Sequence, residues 1–263
     1  MTLEKSVKEA FAKAILEAEA SRRPIDPITD KYPQISVDDA YEIQRMVIDA
    51  KLSRRGEKIV GMKIGFTSKA IQKLLWVNEP AYGHLLSSTY IDDGTSIIID
   101  ELIQPMVEAE IAFILKEDIE GPGVTVADVL KATEGVMPAI EVVDSRIRDW
   151  KIKIQDTIAD NASAARFVLG GVLRPVKNID LRLIGLVFEV DGKVVSTATG
   201  AAIMGNPAIA VAWLANNLAQ YGKKLHAGNV ILSGSLIAAA PAAKGTYFKA
   251  TFSHLGSVSI RFR

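Results

Sequence analysis

The chain reads as an α+β protein, a helical N-terminal region followed by a β-rich domain. Three observations carry this: two amphipathic helical patterns at the start, short β-like runs from Lys58 onward, and an Asp191-Gly192 dipeptide between two apolar runs. With 263 residues, 49% of them hydrophobic, it can bury a substantial core as one large domain or two modest ones. The first helical pattern spans about residues 3 to 21 and the second about 36 to 55, the latter opened by Ser36 and Asp39 as a capping box and stopped by Gly56. Pro24, Pro27 and Pro33 punctuate the link. Residues 1–57 are therefore read as the helical region and 58–263 as the β-rich domain. Strands are expected near 58–64, 106–115, 139–143 and 183–190, with Asp191-Gly192 turning a hairpin into 194–197. Two helices interrupt them, one opening at Thr125 and one at Asn206-Pro207. The segment from Thr246 to Phe262 alternates like two strands joined at Leu255-Gly256.

Thirty-one basic residues balance 31 acidic ones, so no net field favours nucleic acid or an anionic membrane, and a small molecule is the expected partner. The absence of cysteine excludes disulfides, thiolate nucleophiles and cysteine-based zinc sites. No run approaches the roughly 18 apolar residues of a membrane span, and the N-terminus is a charged helix rather than a secretion signal. A soluble, cytoplasmic protein is expected.

In PMVEAEIAFIL, Glu108 and Glu110 lie two apart on an expected strand and point to one face, with Val107, Ala109 and Ile111 on the other. A solvated sheet face would explain such a pair by itself. Glu141, however, sits in MPAIEVVDS, a run apolar enough to be a buried strand, where an unpaired carboxylate is costly and calls for a cation. Three converging carboxylates suit Mg²⁺ or Mn²⁺. Zinc fits poorly, because His84, His226 and His254 form no pair at ligand spacing.

The segments GMKIGFTSKA (61–70), VEAEIAFIL (107–115), IEVVDSRIRDWKIKIQDTIADNAS (140–163), VAWLAN (211–216), VILSGSL (230–236) and LGSVSIRF (255–262) resemble the hydratase/decarboxylase family of the meta-cleavage pathway for aromatic degradation. That family includes 2-hydroxypenta-2,4-dienoate hydratase and 4-oxalocrotonate decarboxylase, within the fumarylacetoacetate hydrolase-like superfamily. The resemblance implies a mixed, β-rich fumarylacetoacetase C-terminal-like domain, a 2-oxo acid substrate and a homo-oligomer, which could associate with the sequential pathway enzyme. It places the metal ligands on Glu108, Glu110 and Glu141, and a substrate- or enolate-binding lysine on Lys63, which without the family would pass for an exposed strand lysine. Asp160, Asn161, Thr67 and Ser235 match polar positions that orient substrate or its surroundings, although Thr and Ser in such loops commonly serve only the backbone.

Both chemistries of the family begin with a 2-oxo acid chelated to a Lewis-acidic metal. Decarboxylation of 2-oxohex-3-enedioate needs no protein base to start, whereas hydration of 2-hydroxypenta-2,4-dienoate needs proton-transfer groups within reach. In EPAYGHL (79–85), Ala81 stands where the family's hydratases carry Asp and its decarboxylases an apolar residue. Arg166 also resembles the decarboxylase pattern, and would meet a distal carboxylate or form a surface ion pair. The stretch 149–163, with Asp156, lies closer to the hydratases. Decarboxylation is the first expectation and hydration the alternative. A C–C bond hydrolase is disfavoured because no histidine opens an H-x-x-E motif, and a catalytically silent binding subunit is disfavoured by the intact acidic set with Lys63.

Overall fold

The two N-terminal patterns form α1 (Lys5–Ser21) and α3 (Val37–Leu52), with a single turn, α2 (Ile28–Lys31), between them, in a computed structural model that describes residues 2–54, 56–68, 72, 77 and 79–263. Lys69 and Ala70 of the motif at 61–70, and Arg55 at the end of the second expected helix, lie outside the described residues. Ser36 caps α3: its hydroxyl accepts from the Asp39 N–H while the Asp39 carboxylate accepts from the Ser36 N–H. Such caps contribute about 1 kcal/mol. The helix ends at Leu52, before the expected stop at Gly56, with Ser53 as its cap: the Ser53 N–H donates to Asp49 O and its hydroxyl to Ala50 O. The apolar faces of these helices, including Ile15, Ile28, Ile43 and Val47, pack with Ala81, Ile158 and Ala159 from later in the chain. The N-terminal helices thus share a core with α5 (Ile154–Ala159) and β2 (Ala81–Leu86), the elements beside the site.

The larger sheet runs in the order β2-β1-β10-β5-β6-β7-β3. Its further strands are β1 (Ile59–Gly65), β3 (Tyr90–Asp92), β5 (Pro105–Leu115), β6 (Thr133–Asp144), β7 (Ala164–Leu169) and β10 (Val230–Ser235), and β11 (Ala240–Pro241) pairs with β5. The second sheet has the order β4-β13-β12-β8-β9, built from β4 (Ser96–Ile97), β8 (Gly185–Val190), β9 (Lys193–Thr199), β12 (Tyr247–Phe252) and β13 (Gly256–Phe262). Asp191 (φ 50°) and Gly192 (φ 76°) supply the paired positive φ angles that the β8–β9 turn requires.

Strand alternation sets what each face does. Val107, Ala109 and Ile111 of β5 and Val136, Ile140 and Val142 of β6 are buried with Phe188, Phe248 and Phe262 of the second sheet. Val211, Leu214 and Leu218 of α6 (Pro207–Ala219), which Asn206 caps through the Ala208 N–H, join the same core. Each such Val, Leu, Ile or Phe side chain contributes about 1.5–3 kcal/mol when fully buried. The intervening residues, Glu108, Glu110, Ala139 and Glu141, face the opposite side. A short helix, α4 (Val126–Ala132), is opened by Thr125 through a capping box with Asp128. Among the described residues no helix is long and apolar enough to cross a membrane.

Candidate metal centre

Glu108 and Glu141 are directly opposed in the antiparallel β5–β6 ladder, and Glu110 follows Glu108 on the same face. One carboxylate oxygen from each lies within 4.8 Å of the others. Glu110 and Glu141 are fully buried and Glu108 is half-buried. A bulge in β10, where the pairing with β5 shifts between Leu232 and Ser235, turns the Gly234 N–H toward Glu110 Oε2, to which it donates at 2.7 Å. Gly234 has φ +107°, and a Cβ there would lie 2.2 Å from Thr67 Oγ1, so only glycine fits.

Among the described residues, one cation meets this cluster. Lys63 Nζ lies 3.1 Å from Glu141 Oε2 and donates to Ala162 O at 3.0 Å. Lys63 stands on β1, three places from β6 in strand order, so a flat sheet would separate the two backbones by about 14 Å. The sheet is therefore curled, with β2 and β7 touching across the hollow. Burial pushes Glu141 up to about 7, against the pull of Lys63. Burial and then its two carboxylate neighbours raise Glu110 well above the ordinary range, and burial raises Glu108. Burial opposes the charge on Lys63, yet the three carboxylates outweigh it and hold the ammonium above its usual value.

Among the described residues, three carboxylates against one ammonium leave two negative charges uncompensated when all three are ionised. Glu110 Oε1 and Glu141 Oε1 are buried with neither a hydrogen-bond donor nor the Lys63 ammonium against them. Orphaned acceptors of this kind are costly unless a cation meets them. A divalent ion matches the surplus charge, and an all-oxygen donor set that leaves positions open suits Mg²⁺ or a similarly hard ion.

The turn that presents Ala162 O is held from below. Asn161, Ala162 and Ser163 all have φ between 50° and 56°, left-handed conformations that cost about 1 kcal/mol or more apiece for non-glycine residues. Asp160 anchors the turn: it is ion-paired with buried Arg146, whose guanidinium also donates to Asp144 O, Ala164 O and Asp160 O. Burial nonetheless pushes Asp160 up to about 6, against Arg146. Asn161 accepts from His84 N–H at 2.7 Å and donates to His84 O at 3.0 Å, which fastens the turn to β2. Gly83 permits this approach, since a Cβ there would lie 2.4 Å from Asn161 O. Burial holds His84 down to about 4, a neutral ring.

A cavity of about 740 Å³ opens over the cluster. Lys63, Thr67, Glu108 and Ser235 line it, and much of the remaining wall is apolar, including Phe66, Met106, Val143, Trp150 and Leu236. Lys63 and Glu108 are the only ionisable groups among its described lining residues. Asp160 and Asn161 stand behind that wall. Ala81 is fully buried opposite Gly65 in the core shared with the N-terminal helices, and is not on the wall. Arg166 is also off it, donating to Ala165 O and pairing with Glu101 at 3.4 Å. Asp156 is occupied too, accepting from the Thr29 N–H and hydroxyl and from the Lys153 N–H.

The sequence reading missed Arg146 and Trp150. The signal for Arg146 was a cation inside the apolar run 139–147, which implies a buried carboxylate partner. Trp150 carried no signal, because its place depends on a turn with consecutive positive φ at Asp149 and Trp150.

The profile of the fumarylacetoacetate (FAA) hydrolase C-terminal family matches residues 60–263. The chain is 44% identical over 261 residues to a 2-hydroxyhexa-2,4-dienoate hydratase of Comamonas testosteroni, covering 98% of each. It is 40% identical over 261 residues to a 4-oxalocrotonate decarboxylase of Pseudomonas sp. (strain CF600), covering 99% of this chain and 98% of that one. Among solved structures, the 4-oxalocrotonate decarboxylase from Pseudomonas putida G7 complexed with magnesium and adipate superposes with a TM-score of 0.95 at 39% identity over 99% of both chains.

Proposed function

Because the chain belongs to the FAA hydrolase C-terminal family, with hydratases and decarboxylases of the meta-cleavage pathway as its relatives, we propose that it is a divalent-metal-dependent lyase that decarboxylates 2-oxohex-3-enedioate (4-oxalocrotonate). The observation that carries this reading is an acidic cluster with surplus negative charge among the described residues, set in a cavity whose described lining holds no acid or base beyond Glu108 and Lys63. Decarboxylation can start there without a protein base; hydration needs groups that protonate one carbon and activate water at another. The adipate bound by the related decarboxylase, a six-carbon dicarboxylate, supports the same choice.

In this proposal Glu108, Glu110 and Glu141 hold Mg²⁺ or Mn²⁺. The bound ion supplies Lewis acidity to the oxygens of the 2-oxo acid. Lys63, oriented by Ala162 O and Glu141, donates toward the 2-oxygen, where negative charge develops. The bond from C5 to the distal carboxylate breaks, its electron pair moves through the conjugated system to the 2-oxygen, and CO₂ leaves. The Lys63 ammonium gives that oxygen a proton and recovers one from water, yielding 2-hydroxypenta-2,4-dienoate. Thr67 and Ser235 orient the substrate, while the apolar wall excludes water and strengthens these interactions. Asp160 and Asn161 hold the turn behind Lys63.

Hydration of a 2-hydroxy-2,4-dienoate is the second reading. It is favoured by the 44% identity to a hydratase and by a described lining with no second cation for a distal carboxylate. A paired assay with Mg²⁺ separates the two: release of CO₂ from 2-oxohex-3-enedioate supports the first. Formation of 4-hydroxy-2-oxopentanoate from 2-hydroxypenta-2,4-dienoate without CO₂ release from the diacid replaces it with the second. Metal binding without either turnover would point to a silent binding subunit.

A further inference from the structure

Met106 lies two residues before Glu108 on β5, so it faces the same side about 7 Å further along the strand. Trp150 lines the cavity with it, and both also line a second hollow of about 590 Å³ whose other walls include Arg22, Ile99, Leu102, Ile103 and Pro241. The two side chains are thus the shared boundary between the metal-centre cavity and this outer groove. Trp150 is held in place by three features. Its indole Nε1 donates to Gln104 O at 3.1 Å. Its backbone, with that of Asp149, is in the left-handed region, φ 54° and 55°, which a bulky side chain adopts only where its surroundings impose it. The loop before it is tied to the N-terminal region, since Ile25 N–H donates to Arg146 O, Arg148 N–H donates to Ile25 O, and Arg148 pairs with Asp26 at 2.8 Å.

From this geometry we infer that Trp150, with Met106, is a specificity-determining wall that limits how long a 2-oxo acid the site accepts. The inference rests on the proposed function only in taking the 2-oxo end to lie at the acidic cluster. A small unsaturated 2-oxo acid anchored there ends near Met106 and Trp150, whereas a longer chain meets the indole. Removing the indole joins the cavity to the groove.

The test is calorimetric binding in Mg²⁺ of 2-oxobutanoate, 2-oxohexanoate and 2-oxooctanoate, which requires no turnover. The unaltered protein should bind 2-oxooctanoate about tenfold or more weaker than 2-oxohexanoate, as expected when extra methylenes meet a filled wall. Trp150→Ala should bring the two within about threefold. Trp150→Phe, which keeps a ring but not the Nε1 donor, should retain the cut-off. If Trp150→Ala loses its circular dichroism, Met106→Ala opens the same wall from the strand side. A cut-off unchanged in the alanine variants, or lost equally in Trp150→Phe, would overturn the role of the wall alone. Failure of all three acids to bind the unaltered protein would overturn the reading of the site, and the wall with it.

Discussion

Replacing Glu141 by Gln should stabilise the protein when metal is absent and the pH is high. Burial raises the Glu141 carboxyl from its ordinary 4.5 to about 7 in the folded chain. The folded state then binds that proton more tightly than the unfolded state does. Its contribution is fully present below about pH 4.5, declines as pH rises, and is lost above about pH 7. At about 1.4 kcal/mol per pH unit, ionising Glu141 in the metal-free fold costs about 3 kcal/mol. Gln cannot ionise and keeps the shape, while Lys63 retains Glu108 and Glu110 as partners. In EDTA, Glu141→Gln should therefore match the parent near pH 4.5 and exceed it at pH 8 by up to about 3 kcal/mol, roughly 6–12 °C in Tm for a chain of this size. Mg²⁺ at a thousandfold its Kd should reverse the order, since it then adds about 4.1 kcal/mol to the protein that binds it. Thermal unfolding followed by circular dichroism at both pH values, with EDTA or Mg²⁺, reads all four corners. A variant less stable than the parent at pH 8 in EDTA would show that the Lys63 ion pair outweighs the surplus charge, which refutes the argument for a divalent ion.

Three further outcomes follow from the same geometry. Lys63→Met should lower kcat by about 10²-fold or more with Mg²⁺ affinity retained, as for loss of one preorganised charge-stabilising donor, checked by turnover and titration calorimetry. Arg146→Met leaves Asp160 buried and unpaired, and should cost about 3–5 kcal/mol in urea unfolding, whereas a loss under 1 kcal/mol would show that the pair does not anchor the 160–163 turn. Gly234→Ala places a methyl against Thr67 at a positive φ, and should reduce metal affinity more than an equivalent change at Gly94, where a Cβ meets nothing.

Strand periodicity made much of this legible. The i, i+2 spacing of Glu108 and Glu110 and the apolar run around Glu141 were enough to expect three carboxylates on one face, because alternation is a local property of the backbone. The capping box at Ser36, the helix start at Thr125 and the Asp191-Gly192 turn were readable for the same reason. What could not be read depends on contacts between distant segments. Nothing local brings Lys63 from β1 to Glu141 on β6; the curl of the sheet does that. Asp160 and Asn161 were expected to orient substrate or its surroundings; the partners that hold them behind the wall, Arg146 and β2, were not legible. Arg166 and Ala81 rested on family pattern alone, and neither lines the cavity within one chain.

The proposed chemistry depends most on a divalent ion bound among Glu108, Glu110 and Glu141. Crystals soaked in Mn²⁺ and measured for anomalous scattering test this directly. The predicted result is one strong peak within about 2.0–2.3 Å of an oxygen from each of the three glutamates. A map with no peak between them, or with its strongest peak elsewhere on the chain, would contradict it.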